Sequence, residues 1–296
     1  MEAPGRLRWA SPGGPEGASL IAGDRGTLLL YRDGSGTRLE TGTRVNLRCA
    51  AFSAPRRTTY ACGNDGLVLR VSEGRAERVG VDARDNLRRL SWDPSGQRCL
   101  VVGNNGTALT LGPTAFETVH GADTNLRSVV WHPSGGYALV AGNCFRDSVG
   151  GLSPSPNLFR FEGGRLVDVS TMAESRADLV AASWRPDGSS CLLAGYDQTW
   201  HTPSLVSFED GSLRVIPWVA ENVFPTACSW HPSGEYALIG TSQMTDEEGS
   251  TAIYRYDGRA VAKVADLRGF GVSCISWHSD HLALVIASRS VRAYSA

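Results

Sequence analysis

The stretch LRSVVWHPSGGYALVAGN, residues 126–143, decides the fold because it returns in altered form along the whole chain. LRRLSWDPSGQRCLVVGN (87–104), LVAASWRPDGSSCLLAGY (179–196) and PTACSWHPSGEYALIGTS (225–242) are close copies. More divergent ones are LRCAAFSAPRRTTYACGN (47–64), VSCISWHSDHLALVIAS (272–288) and, at the start, RLRWASPGGPEGASLIAGD (6–24). In each copy an alternating segment ends on an aromatic, a turn rich in Pro, Ser and Gly follows, and a small-residue apolar segment ends near Gly. Period-2 alternation between turn residues at fixed offsets specifies strands, and no stretch carries a helical period with caps.

The marker aromatics are Trp9, Phe52, Trp92, Trp131, Trp184, Trp230 and Trp277, at spacings of 43, 40, 39, 53, 46 and 47 residues. A four-stranded propeller blade takes about 40–50 residues. Third strands such as LFRFEGG (158–164) and TAIYRYDG (251–258), and fourth strands such as RLVDVS (165–170) and RAVAKVA (259–265), complete the unit. The expected fold is therefore all-β: a seven-bladed β-propeller of four-stranded antiparallel blades, as a single domain over residues 1–296. One blade cannot bury both faces of its sheet, whereas seven in a ring can, with the aromatics between neighbours. The first repeat starts on its inner strand and the last ends at RSVRAYSA (289–296), leaving a seventh blade of three strands. Its open edge invites pairing by a partner strand or cover by the N-terminal residues.

The turn W-x-P-S/D-G followed by an apolar strand resembles WD-repeat propellers over nearly the full length, although the family's terminal Trp-Asp and Gly-His pairs are absent. The run NLRxxxW/F…GNxG also resembles Asp-box and photosystem-assembly-factor-like propellers, without the Asp-box itself. The resemblance implies a fold and carries no activity with it. It also implies a layout in which the B–C and D–A loops share one face, the top, and the A–B and C–D turns share the other.

Composition narrows the function. The formal net charge is −1, so no bulk basic field favours nucleic acid. Lys263 is the sole lysine, so nearly every cationic site is a planar, forked arginine. No apolar run approaches the roughly 20 residues of a membrane span, and MEAPGRLRWA lacks the apolar region of a signal peptide. Six of seven cysteines (Cys49, Cys62, Cys99, Cys191, Cys228, Cys274) sit in apolar strand patterns. Free thiols in a reducing cytoplasm account for them better than disulfides. No zinc-type Cys/His spacing or cofactor motif is present.

Several groups of residues are candidates for a site. His132, His231 and His278 each follow a marker Trp, so they fall on separate blades at the bottom and read as turn residues rather than ligands of one metal. Asp24-Arg25-Gly26, Asn64-Asp65-Gly66 and Asn104-Asn105-Gly106 read as tight hairpin turns. Arg48, Arg88 and Arg127 each follow an Asn-Leu pair (Asn46-Leu47, Asn86-Leu87, Asn125-Leu126) and precede the marker aromatic by four. They either bind a carboxylate or phosphate at the channel mouth or pack between blades. Insertions at Cys144–Asn157, Tyr196–Ser204 and Ser242–Ser250 break the repeat and would raise a rim over half the top face. Trp200 and Trp218, with Phe145 and Met244, supply aromatic and flexible apolar groups there, as interaction anchors or as small cores of the loops themselves.

The expected function is a non-catalytic scaffold that binds a protein or peptide on the top loop face, through Trp200, Trp218, Phe145, Met244, Arg48, Arg88 and Arg127. Two rivals stand beside it. One is a propeller hydrolase or lyase using the loop acids Asp147, Asp197, Asp246, Glu247 and Glu248, although no nucleophile elbow or metal motif accompanies them. The other is a lectin-like binder of a small ligand in the central channel.

Overall fold

The computed structural model describes residues 5–112, 115–149, 151–170, 177–198, 202–218, 220, 223–243, 251–267 and 271–295. Seven antiparallel blade sheets stand around a channel, ordered A-B-C-D from the channel outward in blades 1 to 6 and A-B-C in blade 7. The inner strands A are Leu7–Ser11, Leu47–Ser53, Leu87–Trp92, Leu126–Trp131, Ala177–Trp184, Val223–Trp230 and Val272–Ser279, in blades 1 to 7. Among the described residues the only helical turn is Pro15–Gly17.

Burial explains why the second strand of each repeat reads as an unbroken apolar run. Ser19–Gly23, Thr58–Gly63, Cys99–Gly103 and Ala138–Gly142 are buried at every position, because a neighbouring blade covers each face. The outermost strands, such as Arg75–Val79 and Arg165–Asp168, face water and carry charge. The core is divided into seven clusters, one at each junction between adjacent blades.

Blade 7 has three strands, Val272–Ser279, Leu282–Ala287 and Ser290–Ser295. It shares no strand with blade 1. Leu7, Ala10 and Ile21 of blade 1 pack against Cys274 and Ile286 of blade 7, the Leu7 N–H donates to Ser288 O (2.7 Å), and the Ser273 hydroxyl donates to Leu7 O (3.1 Å). Among the described residues this seam buries six core side chains, against nine to twelve at the other junctions, so it is the thinnest part of the ring.

Side chains in several bottom turns, three of them directly after a marker aromatic, tie one turn to the next. Ser53 Oγ donates to Gly96 O (2.7 Å), the Arg98 guanidinium reaches Gly135 O, His132 Nε2 donates to Gly188 O (3.2 Å), and His231 Nε2 donates to Asp280 O (2.8 Å). In both histidines Nδ1 accepts from a backbone N–H, of Ser134 (3.1 Å) or Ser233 (3.0 Å), which places the ring proton on Nε2. Each ring also stacks on a tyrosine and meets the next blade's tryptophan edge-on: His132 on Tyr137 against Trp184, and His231 on Tyr236 against Trp277. These histidines are staples between blades, as their position in the repeat implied. Asp93 instead braces its own turn in blade 3, accepting from Ser95 Oγ, Gln97 N and Arg98 N, and it also holds the Arg98 guanidinium that reaches blade 4.

One marker is out of register. Leu7 pairs with Gly23 as Leu47 pairs with Gly63, so Trp9 aligns with Cys49, three positions ahead of Phe52. Pro12, immediately after the strand, holds the marker position in blade 1, and Trp9 belongs instead to the channel wall.

Leu87 is fully buried between blades 2 and 3, and Leu87→Ala should cost about 2–5 kcal/mol in urea unfolding. Burial pushes the Asp93 carboxyl up, but hydrogen bonds from Arg98 N–H, the Ser95 hydroxyl, the Arg98 guanidinium and Gln97 N–H outweigh it and hold the group below the usual range. That stabilisation is present above about pH 4 and is lost as pH falls through the depressed value. Asp93→Ala should lower stability at pH 7 by about 1–3 kcal/mol, with the gap to wild type shrinking in acid unfolding curves below pH 4.

Candidate functional site

In blades 1 to 3 the B–C connection is a two-residue turn with both central residues at positive φ: Arg25 and Gly26, Asp65 and Gly66, Asn105 and Gly106. This is the hairpin reading of those segments, and it brings the strand ends close to the next inner strand. A Cβ on Gly66 would meet Ala83 O at 2.0 Å, so glycine is required there by space as well as by φ.

Each turn is clamped by the Asn-Leu-Arg lead-in. The turn N–H of one blade donates to the Asn side chain of the next: Arg25 to Asn46 (3.0 Å), Asp65 to Asn86 (3.2 Å), Asn105 to Asn125 (3.1 Å). In blade 5 an aspartate takes over, and Cys144 N–H donates to Asp178 Oδ1 (2.9 Å). The same asparagine's carbonyl accepts from its own blade's turn: Asn64 to Asn46 (3.0 Å), Asn104 to Asn86 (2.9 Å), Asn143 to Asn125 (2.9 Å). The leucines Leu47, Leu87 and Leu126 are fully buried behind them.

The arginine that follows sits at a bulge, unpaired in the ladder between residues such as Leu47 and Cys49 or Leu126 and Ser128. A bulge re-aims a side chain out of the sheet. Arg48 Nε donates to Asn64 Oδ1 (2.8 Å), Arg88 Nε to Asn104 Oδ1 (2.8 Å) and Arg127 Nε to Asn143 Oδ1 (2.7 Å). Arg8 is the fourth member, pairing with Asp24 through both Nε and Nη2. Sequence inspection aligned on the aromatics misses it. The constant offset of sixteen residues from arginine to turn partner would have found it.

The four guanidinium groups are close enough to disturb one another. Burial, then Arg8 and Arg88, pulls Arg48 down to about 10; burial, then Arg127, Arg89 and Arg8, pulls Arg88 down to about 10. Burial also lowers Arg127, partly offset by Asp178. Arg89 joins them from the channel wall, its guanidinium 4.4 Å from the Trp9 ring and donating to Arg88 O (3.1 Å). Within the channel a small pocket is bounded by Trp9, Arg89, Ser128, Thr226, Ser273 and Cys274, among others.

The insertion of blade 4 is a hairpin of its own, Phe145–Ser148 paired with Gly151–Pro154. Its base is fixed by Thr124 Oγ1 donating to Asn143 O (2.9 Å) and Phe145 O (3.1 Å), and by Asp123, which accepts from Ser155 Oγ (3.0 Å) and pairs with Arg146. Phe145 is half-buried at that base, whereas Val149 and Leu152 stand exposed at the tip. The insertion of blade 5 instead lengthens the ladder, with Tyr196 paired to Pro203 and Asp197 to Thr202. Tyr196 packs edge-on against Phe224 (4.7 Å).

Trp218 is half-buried in the core between blades 5 and 6, edge-on to Tyr254 at 4.9 Å, which makes it part of a loop core. Trp200, Met244, Asp246, Glu247 and Glu248 lie outside the described residues, as does the side chain of Asp147. All seven cysteines are buried thiols outside any disulfide; Cys144 adds to the six found in strands. Burial pushes the thiols of Cys228 and Cys274 up to about 12, keeping them protonated and unreactive. No helix among the described residues is long and apolar enough to cross a membrane.

No protein-family model and no curated protein matches the chain. Solved structures do. A chain of hydrazine synthase from Kuenenia stuttgartiensis is similar over 100% of this chain and 97% of its own, with TM-score 0.76 and 16% identity. A chain of a mitotic checkpoint complex covers 100% and 93%, with TM-score 0.77 and 14% identity. The β-propeller domain of Cps50 (Swd1) from Myceliophteria thermophila covers 99% and 98%, with TM-score 0.73 and 12% identity. At these identities the similarity establishes the fold alone.

Asn86 joins two turns at once, so Asn86→Ala should lower stability by about 1 kcal/mol or more, read by chemical denaturation. Asn86→Asp, which keeps the acceptor as Asp178 does, should restore most of the loss.

The sheets and their closure place the chain among seven-bladed β-propellers in fold, with a blade 7 of three strands.

Proposed function

We propose that this chain is a non-catalytic interaction propeller of the WD-repeat type, which receives a protein or peptide segment on the rim above blades 4 to 6. The observation that carries the reading is the blade 4 hairpin. Its base is anchored by Asp123 and Thr124, yet its tip offers Val149 and Leu152 to solvent, Leu152 at 63% exposure. Apolar side chains on a braced protrusion gain most of their burial energy by docking, about 1.5–3 kcal/mol each. The likeness in fold to a chain of the mitotic checkpoint complex and to Cps50 (Swd1) supports a role in assemblies. The buried thiols, outside any disulfide, suit a cytoplasmic setting.

Immobilised full-length protein should retain a partner from extract of its own cells. Val149→Asp combined with Leu152→Asp should reduce recovery at least tenfold while leaving the thermal midpoint within about 2 °C, because neither side chain is packed. Undiminished recovery would overturn the rim assignment.

A further inference from the structure

We propose that the top mouth of the channel is a binding site for a compact, multiply charged oxyanion, of the polyphosphate or polycarboxylate class. The argument rests on what the fold requires of the bulge position and what it does not. Residues Arg8, Arg48, Arg88 and Arg127 occupy it in blades 1 to 4, and Val180, Thr226 and Ser273 occupy it in blades 5 to 7. Blades 5 to 7 form the same bulge without arginine, so neither the bulge nor the blade needs that side chain. Four adjacent arginines are thus a property of this mouth beyond blade construction.

Their counter-charges are incomplete. Arg8 is paired with Asp24, and Arg127 lies within electrostatic reach of the buried Asp178. Among the described residues Arg48, Arg88 and Arg89 have no carboxylate within ion-pair distance, and Arg89 donates to the carbonyls of Arg48 and Arg88. Asp24 acts on Arg48 only at a distance, so three guanidinium groups without a paired carboxylate, drawn together in a half-buried mouth, are unfavourable for the empty protein. A ligand with two or three negative charges removes that cost, whereas a monovalent one removes only part of it.

The geometry is also prepared for oxygen ligands. Each Nε of Arg48, Arg88 and Arg127 is held by a turn asparagine, which fixes the plane of the guanidinium and leaves its Nη end for a forked contact. The channel pocket that Arg89 lines is otherwise neutral, bounded by Ser128, Thr226, Ala227, Ser273 and Cys274, and the bulge positions of blades 5 to 7 add no charge, so the positive charge is confined to the arginine blades.

The test uses the purified full chain, without any partner, so its outcome is independent of the rim reading. Thermal midpoints and calorimetric titrations are measured with inorganic pyrophosphate, with citrate, and with sodium acetate and sodium chloride at matched ionic strength. Pyrophosphate or citrate should raise the midpoint by several degrees beyond the chloride control, and whichever acts more strongly assigns the phosphate or the carboxylate source. Arg88→Gln, and separately Arg48→Gln, should weaken that binding at least tenfold, while exposed Arg78→Gln should leave it unchanged. If the two polyanions shift wild type no more than chloride does, the proposal fails, and this arm needs no variant to fold. It also fails if folded Arg88→Gln and Arg48→Gln bind pyrophosphate and citrate as wild type does. Undiminished partner capture by the Val149→Asp, Leu152→Asp variant, with polyanion binding intact, would overturn the rim reading alone.

Discussion

In blades 2 to 4 the structure depends on one peptide unit per blade, the one that precedes the buried leucine of the inner strand. At Asn86 the carbonyl accepts from Asn104 of its own blade while the side chain accepts from Asp65 of the blade before. One residue therefore fixes where a hairpin turn ends, where the next inner strand begins, and how far apart the two blades stand. Leu87, fully buried, seals the joint, and the bulge that follows turns Arg88 out of the sheet. Burial supplies the energy that holds the blades together, about 25 cal/mol per Å² of apolar surface. The peptide clamp determines the register in which that energy is collected.

Much of this was legible in the residues. The recurrent aromatic and the turn after it expose the blade count, because both have a fixed place in a unit that must stack on copies of itself. The three strands of the last blade were readable as VSCISWHS, LALVIA and SVRAYS. The hairpin turns follow from Asn, Asp and Gly, which tolerate positive φ. What misled was Trp9, an aromatic near the right distance that serves a different position three residues earlier in the strand, where it meets Arg89 in the channel. That misalignment concealed Arg8. Aromatic identity says that a side chain is large, and pairing in the ladder says where it points, and only the second is unambiguous. The insertions were recognisable as departures from the repeat, but their shapes were not. Blade 4 makes a separate hairpin, blade 5 extends its strands, and Trp218 is drawn into a core by Tyr254, a contact with no sequence-local signal.

The ring is chemically divided. Blades 1 to 4 carry tightly closed turns or braced ones, and an arginine at each bulge; blades 5 to 7 replace those arginines with Val180, Thr226 and Ser273. Thr226 and Ser273 spend their hydroxyls on carbonyls of the next blade, Val272 O and Leu7 O, so their side of the mouth is consumed by structure. In blade 5, where the arginine is lost, the lead-in asparagine has become Asp178, beside Arg127 of the neighbouring blade. Charge thus changes sign at the junction between the two halves, which is also where the rim hairpin rises.

The seam between blades 1 and 7 has a mechanical meaning. Hydrogen-bonded strands resist separation along their length because many bonds must break together, but faces in contact can peel one side chain at a time. The seam is a contact of faces, centred on Leu7, Ile21, Cys274 and Ile286, and the strands beside it, Leu7–Ser11 and Ser290–Ser295, are the first and last of the ring. Tension applied between those two strands loads the weakest junction in its weakest direction. Under such a load the molecule would open like a clasp at that point, while the other six junctions stay closed.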